Sequence, residues 1–294
     1  MRSLNSLGGG GRSRHLGSAA AIAVVIGLAL SVPPSLLAAE NDDFKVCADP
    51  NNLPFSNASG AGFENKLAEL VAGELGKHVT YTWWAQRRGF VRNTLSAGQC
   101  DVVMGVPVDY ELVETTRPYY RSSYVFVSRA DHNLDVVSIK DPRLEHLKIG
   151  VHLIGSDGTN TPPAQALGQQ NIVQNVIGYM IYGDYREPNP PARVIEAVEK
   201  GDIDIAAVWG PLAGYSAKTS AVPLTVAPIA DTEDFGPLRF QFDIAMGVRK
   251  GDHALKARLD DIIAGKQPEI RALLASYGVP MVRTSARAPE TDIR

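Results

Sequence analysis

Two rounds of one alternation constrain this chain more than any other feature. From Phe44 onward, short apolar runs alternate with stretches whose apolar residues recur at helical spacing. In the first round the runs are "FKVCA", "VTYTWW", "CDVVMGV" and "SSYVFV". Between them stand "ENKLAELVAGELGKH", with Leu67, Leu70, Val71 and Leu75 on one helical face and Gly76 as its stop, and the shorter "GFVRNTLSAG". The second round runs "HLKIGVHL", "VIGYMI", "DIDIAAVW" and "PLTVAPI", with helices at "TPPAQALGQQ" and "NPPARVIEAVEKG". In the last of these Asn189 reads as the cap and Gly201 as the stop. Runs of four to eight apolar residues separated by helices are the signature of βαβ units, whose strands are buried on both faces of a mainly parallel sheet.

The pattern therefore predicts an α/β protein of two lobes. The first lobe takes 40–128 and 245–282, and the second takes 129–244. The long alternating stretch "RFQFDIAMGVRK" returns the chain to the first lobe, and helices over 252–265 and 268–277 complete it. Two lobes joined by two extended crossings leave a cleft between them, and in open α/β sheets ligands sit at the carboxyl ends of strands. Residues 283–294 read as a loose polar tail.

The first 39 residues stand apart. Arg2, Arg12 and Arg14 precede the apolar run Ala19 to Leu30, and Ala38-Ala39 close the segment. Basic, apolar, then small is the order of a secretory signal peptide, and a run of about twelve residues is short of the roughly twenty that span a bilayer. The expected mature chain begins at Glu40 and lies in the periplasm. The leader carries three of the 29 basic residues and none of the 32 acidic ones, which leaves the remainder at −6. That charge argues against nucleic acid or an anionic membrane as partner and favours a basic one. Both cysteines, Cys47 and Cys100, survive cleavage. Export allows a disulfide between them, and two buried free thiols are the alternative.

The loop "DPNNLPFSN" after the first strand is polar and stiffened by two prolines, so it is built to hold a shape. Asp49, Asn51 and Asn52 are candidate ligand contacts, or they bond the loop's own backbone as such residues do in turns. Pro107 closes another strand end. "GSDGTNT" offers Ser156, Asp157, Thr159 and Asn160 as an anion cradle before a helix, or as an ordinary polar loop. Aromatic residues gather at predicted strand ends: Phe55, Trp83, Trp84, Tyr119, Tyr120, Tyr182, Tyr185, Trp209 and Tyr215. Trp83 and Trp84 face opposite ways on one strand, so at least one is packing. The others suit a wide apolar cleft or a protein interface. No His-x-x-x-His, Gly-x-Ser-x-Gly, Cys-x-x-Cys or phosphate loop occurs, so the expectation is a binding protein without catalytic residues, metal or cofactor.

In order and spacing, "DP…PF…GFE…L", "LSAGQCDVVMG", "RPYY" and "KIGV" resemble the periplasmic solute-binding proteins of ABC transporters, over about 44–282. Their amino-acid-binding branch is the nearest broad group. The resemblance implies the type II periplasmic-binding-protein fold. The longer blocks "KVCADPNNLPFSN", "CDVVMGVPVDYELVETTRPYYRSSYVFV" and "NPPARVIEAVEKGDIDIAAVWGPLAGY" resemble the J-type accessory proteins encoded beside PQQ-dependent methanol dehydrogenases and their cytochrome c. That narrower resemblance implies a periplasmic helper of such a dehydrogenase. The alternative is a receptor for a small solute. The chain departs from the amino-acid binders at both charge anchors. No arginine follows Val106 before Arg117, and "WGPLAG" stands where they carry an aspartate. Burying an amino acid's charges without partners costs several kcal/mol, so a free amino acid is not the expected ligand.

Overall fold

The computed structural model describes residues 42–154, 160–181 and 185–282. The expected leader 1–39, the tail 283–294 and Tyr182 lie outside the described residues, as do Ser156, Asp157 and Thr159 of the expected anion cradle. Among the described residues no helix is long and apolar enough to cross a membrane.

The chain enters on β1 (Asp43–Ala48) and makes a small hairpin of β2 (Asn51–Asn52) and β3 (Ser56–Asn57). There follow α1 (Phe63–Leu75), β4 (His78–Trp83), the single turn α2 (Phe90–Asn93), β5 (Val102–Pro107), β6 (Glu114–Thr115) and the long β7 (Tyr120–Arg129). Next come β8 (Ile149–Leu153), α3 (Pro162–Gln169), β9 (Val176–Met180), α4 (Arg193–Lys200), β10 (Ile205–Trp209), α5 (Gly210–Thr219) and β11 (Leu224–Pro228). The chain returns on β12 (Gln241–Val248) and ends in α6 (His253–Gly265) and α7 (Gln267–Ser276).

The strands lie in the order β4-β1-β5-β12-β7-β10-β8-β9, with β11 on β7 and β6 on β12. On the outer flanks the pairs β1–β4, β1–β5, β8–β9 and β8–β10 are parallel, as βαβ connections demand. Within this large sheet the antiparallel pairs belong to the two crossing strands. The first four residues of β7 pair with β12, and the rest pair with β10 and β11. One strand thus serves both lobes, and β12 does the same by pairing with β7 at Gln241–Ile244 and with β5 from Ile244 onward. Asp243 and Arg121 face one another in this ribbon and form a two-point ion pair at 2.9 and 2.6 Å.

Both faces of each sheet are covered. In β1, Phe44, Val46 and Ala48 enter a core shared with α1, α6 and α7, whereas Cys47 enters a second cluster with Phe90, Leu95 and Cys100. In β10, Ile205 and Ala207 face α3, and Ala206 and Val208 face α4 and α5. This two-sided burial is why the strands read as unbroken apolar runs. Gly76 and Gly201 take left-handed conformations (φ 67° and 77°) and end α1 and α4, as their positions predicted. Asn189 does not cap its helix. Its own backbone is left-handed, and a 3-10 turn over Pro190–Ala192 precedes α4.

Helix α5 is absent from the sequence reading. Gly210, Pro211 and Gly214 are weak helix formers, although proline is tolerated in a first turn. The reason for Gly214 is tertiary: a Cβ there would lie 1.9 Å from the carbonyl oxygen of Gly278.

Candidate functional site

Cys47 and Cys100 are joined in a disulfide with their Cα atoms 5.6 Å apart, which ties β1 to the approach of β5. Beyond that tie, the loop after β1 turns toward the second lobe. Asp49 is buried, and its Oδ1 accepts from the Asn51 amide at 2.8 Å. Its Oδ2 accepts from the Gln86 amide and from the Tyr185 hydroxyl, each at 2.6 Å. Burial and the Asp49 carboxylate together hold the Tyr185 hydroxyl far above the ordinary phenol range. Asn51 repeats the connection: its Nδ2 donates to the Glu187 carbonyl at 2.7 Å, and its Oδ1 accepts from the Asn189 amide at 2.8 Å. Asp49 and Asn51 therefore do more than close their own turn. They clasp 185–189.

Beside this clasp lies a cleft of about 790 Å³. Asn52, Phe55, Pro107 and Trp209, all expected there, line it. Asn52 is steadied by the Gln86 side chain at 3.1 Å. Trp209 meets Tyr124 edge-on at 5.3 Å and Phe242 at 5.8 Å. Three expected residues sit elsewhere. Tyr119 is buried in the first-lobe core and donates to the Met104 carbonyl at 2.9 Å. It is Tyr120 that borders the cleft. Tyr215 stacks on Tyr277 with centroids 6.0 Å apart and faces a separate hollow of about 320 Å³. Asn160 bridges Leu153 ahead of α3 and does not reach the cleft wall. Of the tryptophan pair, Trp83 stacks on Tyr81 at 4.4 Å and Trp84 is 41% exposed.

Several cleft residues escaped the sequence reading. Arg87, Arg88 and Arg92 come to its wall from the segment after β4, although no arginine follows β5 where amino-acid binders place one. His152 is buried there, with Nε2 2.9 Å from the Pro191 carbonyl, and burial lowers its pKa to about 4, so it is neutral. Glu64, in the first turn of α1, opens into the same cleft. Burial, with a smaller contribution from the like charge of Asp49, raises its pKa to about 8. Its carboxyl occupies the space above Gly105, where a Cβ would come within 2.1 Å of Oε1. Among the described residues, no group of three or more His, Cys, Asp or Glu is arranged to hold a metal.

The model of the bacterial extracellular solute-binding proteins, family 3, matches residues 44–278. The protein MoxJ of Methylorubrum extorquens is 34% identical over 82% of this chain and 82% of its own. MoxJ of Paracoccus denitrificans is 29% identical over 84% and 92%. Among solved structures, the periplasmic binding protein XoxJ from Methylobacterium extorquens AM1 superposes with a TM-score of 0.67 at 36% identity, over 82% of this chain and 99% of that one.

Proposed function

This chain belongs to the bacterial extracellular solute-binding proteins, family 3, in the branch that holds MoxJ and XoxJ, and we propose that it serves a PQQ-dependent methanol or alcohol dehydrogenase as a non-enzymatic accessory protein. It acts in the periplasm after loss of residues 1–39, and it binds the dehydrogenase, alone or with its cytochrome c, or a maturing form of it. The observation that carries this reading is the cleft. Its walls are largely apolar and aromatic, its volume is near the upper end for small-molecule sites, and the positions after β5 and β10 where amino-acid binders carry their arginine and aspartate hold neither.

The test is co-purification of the tagged mature chain with the dehydrogenase, alongside turnover of the dehydrogenase with and without it. A complex or a changed turnover is expected, and Trp209→Ala should weaken it. A second reading, a receptor for a small solute other than an amino acid, is favoured by the clasp of Asp49 and Asn51 on 185–189, the kind of contact that hinge closure makes. No complex and no change in turnover, together with a solute that raises the melting temperature, would select that reading.

A further inference from the structure

Glu64 is a carboxyl group without a counter-charge in a cavity walled by aromatic rings. No hydrogen bond or ion pair engages its side chain among the described residues. The groups that face it are Asp49 from the β1–β2 connection, Tyr81 of β4, Tyr119 just before β7, and Tyr120 of β7. None is a cation, and Asp49 repels it. Gly105 on β5 leaves the space that the carboxyl fills. Phe55, Tyr120, Trp209 and Phe242 border the same cleft. A buried acid is commonly paired, because an unpaired charge in an apolar site is costly. A carboxylate among aromatic faces is instead suited to an alkylammonium ion, which the ring quadrupoles and the negative charge attract together.

We propose that the cleft recognises an alkylammonium group, with Glu64 as its counter-charge and Tyr120 and Trp209 as its flanking faces. The proposal rests on the reading of this cleft as the binding site. Phe242 already accepts a cation on one face, where the Arg239 guanidinium lies 5.4 Å from the ring centroid. Arg87 and Arg92 border the cleft without acting on Glu64, so the remainder of the ligand is neutral or acidic. The ammonium comes from a small organic amine or from a lysine of a partner segment. An acidic mature chain suits the second source.

Binding draws the proton off Glu64, which is mostly neutral below its pKa of about 8. Affinity for a permanently charged cation therefore rises toward that pH, by up to about tenfold per pH unit.

The experiment is calorimetric titration of the mature chain with butyltrimethylammonium, with its uncharged tert-butyl isostere, and with a blocked peptide carrying lysine or norleucine at one position. Binding by the quaternary ion, absent for the isostere and reduced at least about tenfold in Glu64→Gln, supports the proposal with a small amine as source. The same pattern for the lysine peptide alone supports it with a partner segment as source. Equal binding of charged and uncharged probes, binding that Glu64→Gln leaves unchanged, or no binding of any probe overturns it. Gly105→Ala keeps the charge but displaces the carboxyl, and it should weaken binding as well. Melting temperatures confirm that both variants fold. In the dehydrogenase capture, loss with Trp209→Ala but not with Glu64→Gln overturns a partner lysine as the source of the ammonium and leaves the cleft reading intact. Capture that neither variant alters overturns both the cleft as the dehydrogenase site and the partner-lysine source.

Discussion

The Tyr185 hydroxyl donates a 2.6 Å hydrogen bond to Oδ2 of Asp49, which joins the first-lobe loop to a segment of the second. The same oxygen takes the Gln86 amide, so one carboxylate organises three segments that are distant in sequence. Tyr185→Phe deletes only the interlobe member of that set. A hydrogen bond to a charged group contributes roughly 1.5–3 kcal/mol, and residual solvent exposure of Tyr185 puts the expected loss near 1 kcal/mol. Urea melts should show that loss, and solution scattering should show a larger radius of gyration. Asp49→Ala strands two backbone donors as well and should cost about 3 kcal/mol. Equal effects of the two variants would contradict this arrangement.

The Cys47–Cys100 bridge closes a loop of 53 residues. By the chain-entropy relation a loop of that length stabilises by at most about 4 kcal/mol, and measured values commonly fall to 2–4 kcal/mol. Cys47→Ser with Cys100→Ser should lower the unfolding free energy by that amount. A thiol assay on the unreduced, unfolded wild type should read zero. One reactive thiol or more per chain would contradict the bridge.

Glu64 and His152 load the pH profile in opposite directions. For Glu64 the folded pKa of about 8 lies above the unfolded value, so the folded state holds an extra proton in between and stability falls as pH rises from about 4.5 to 8. For His152 the folded pKa of about 4 lies below the unfolded 6.5, so stability falls as pH drops through that window. Glu64→Gln should gain on the wild type between pH 4.5 and 8, by on the order of 1 kcal/mol or more, and stay level above. His152→Gln should flatten the acid limb. Parallel profiles for wild type and variants would rule out both assignments.

Gly214→Ala places a methyl group against the Gly278 carbonyl at 1.9 Å, and Gly278 itself is left-handed at φ 71°. Helix propensity alone would make this change stabilising by up to about 1 kcal/mol. Backbone contact reverses the sign, and a loss above about 2 kcal/mol is expected in denaturant melts. A gain in stability would show that α5 does not approach residue 278 so closely.

Much of the fold was legible because its signals are local. Apolar runs such as "CDVVMGV" need only burial on two faces, and Gly76 and Gly201 need only a left-handed φ at a helix end. The site was legible in part. Phe55 and Trp209 were placed by strand ends, a rule of topology. What escaped depends on residues far away in sequence. Glu64 reads as an ordinary acid in a first helical turn until Gly105 is seen beneath it. Asn51 reads as a turn residue, and its partners are Glu187 and Asn189. Tyr119 and Tyr120 are neighbours of one type and both are buried in the first core, yet Tyr119 sends its hydroxyl to the Met104 carbonyl and only Tyr120, the first residue of β7, also borders the cleft.

The place of β12 between β5 and β7 bears on how the molecule can be assembled. The cores around β8 and β10 draw on one uninterrupted stretch, from Tyr124 to Phe240, and can be completed before β12, α6 and α7 are available. The first lobe cannot: Met246, Val248, Leu259, Ile263, Ile270 and Leu274 are part of the core that Phe44 and Val46 began. For a chain that crosses a membrane amino end first, the segment to emerge earliest must wait for the one to emerge last, with its apolar strands exposed in the meantime. A stop just after Phe240 would thus leave a sound second lobe attached to a first lobe that never closes.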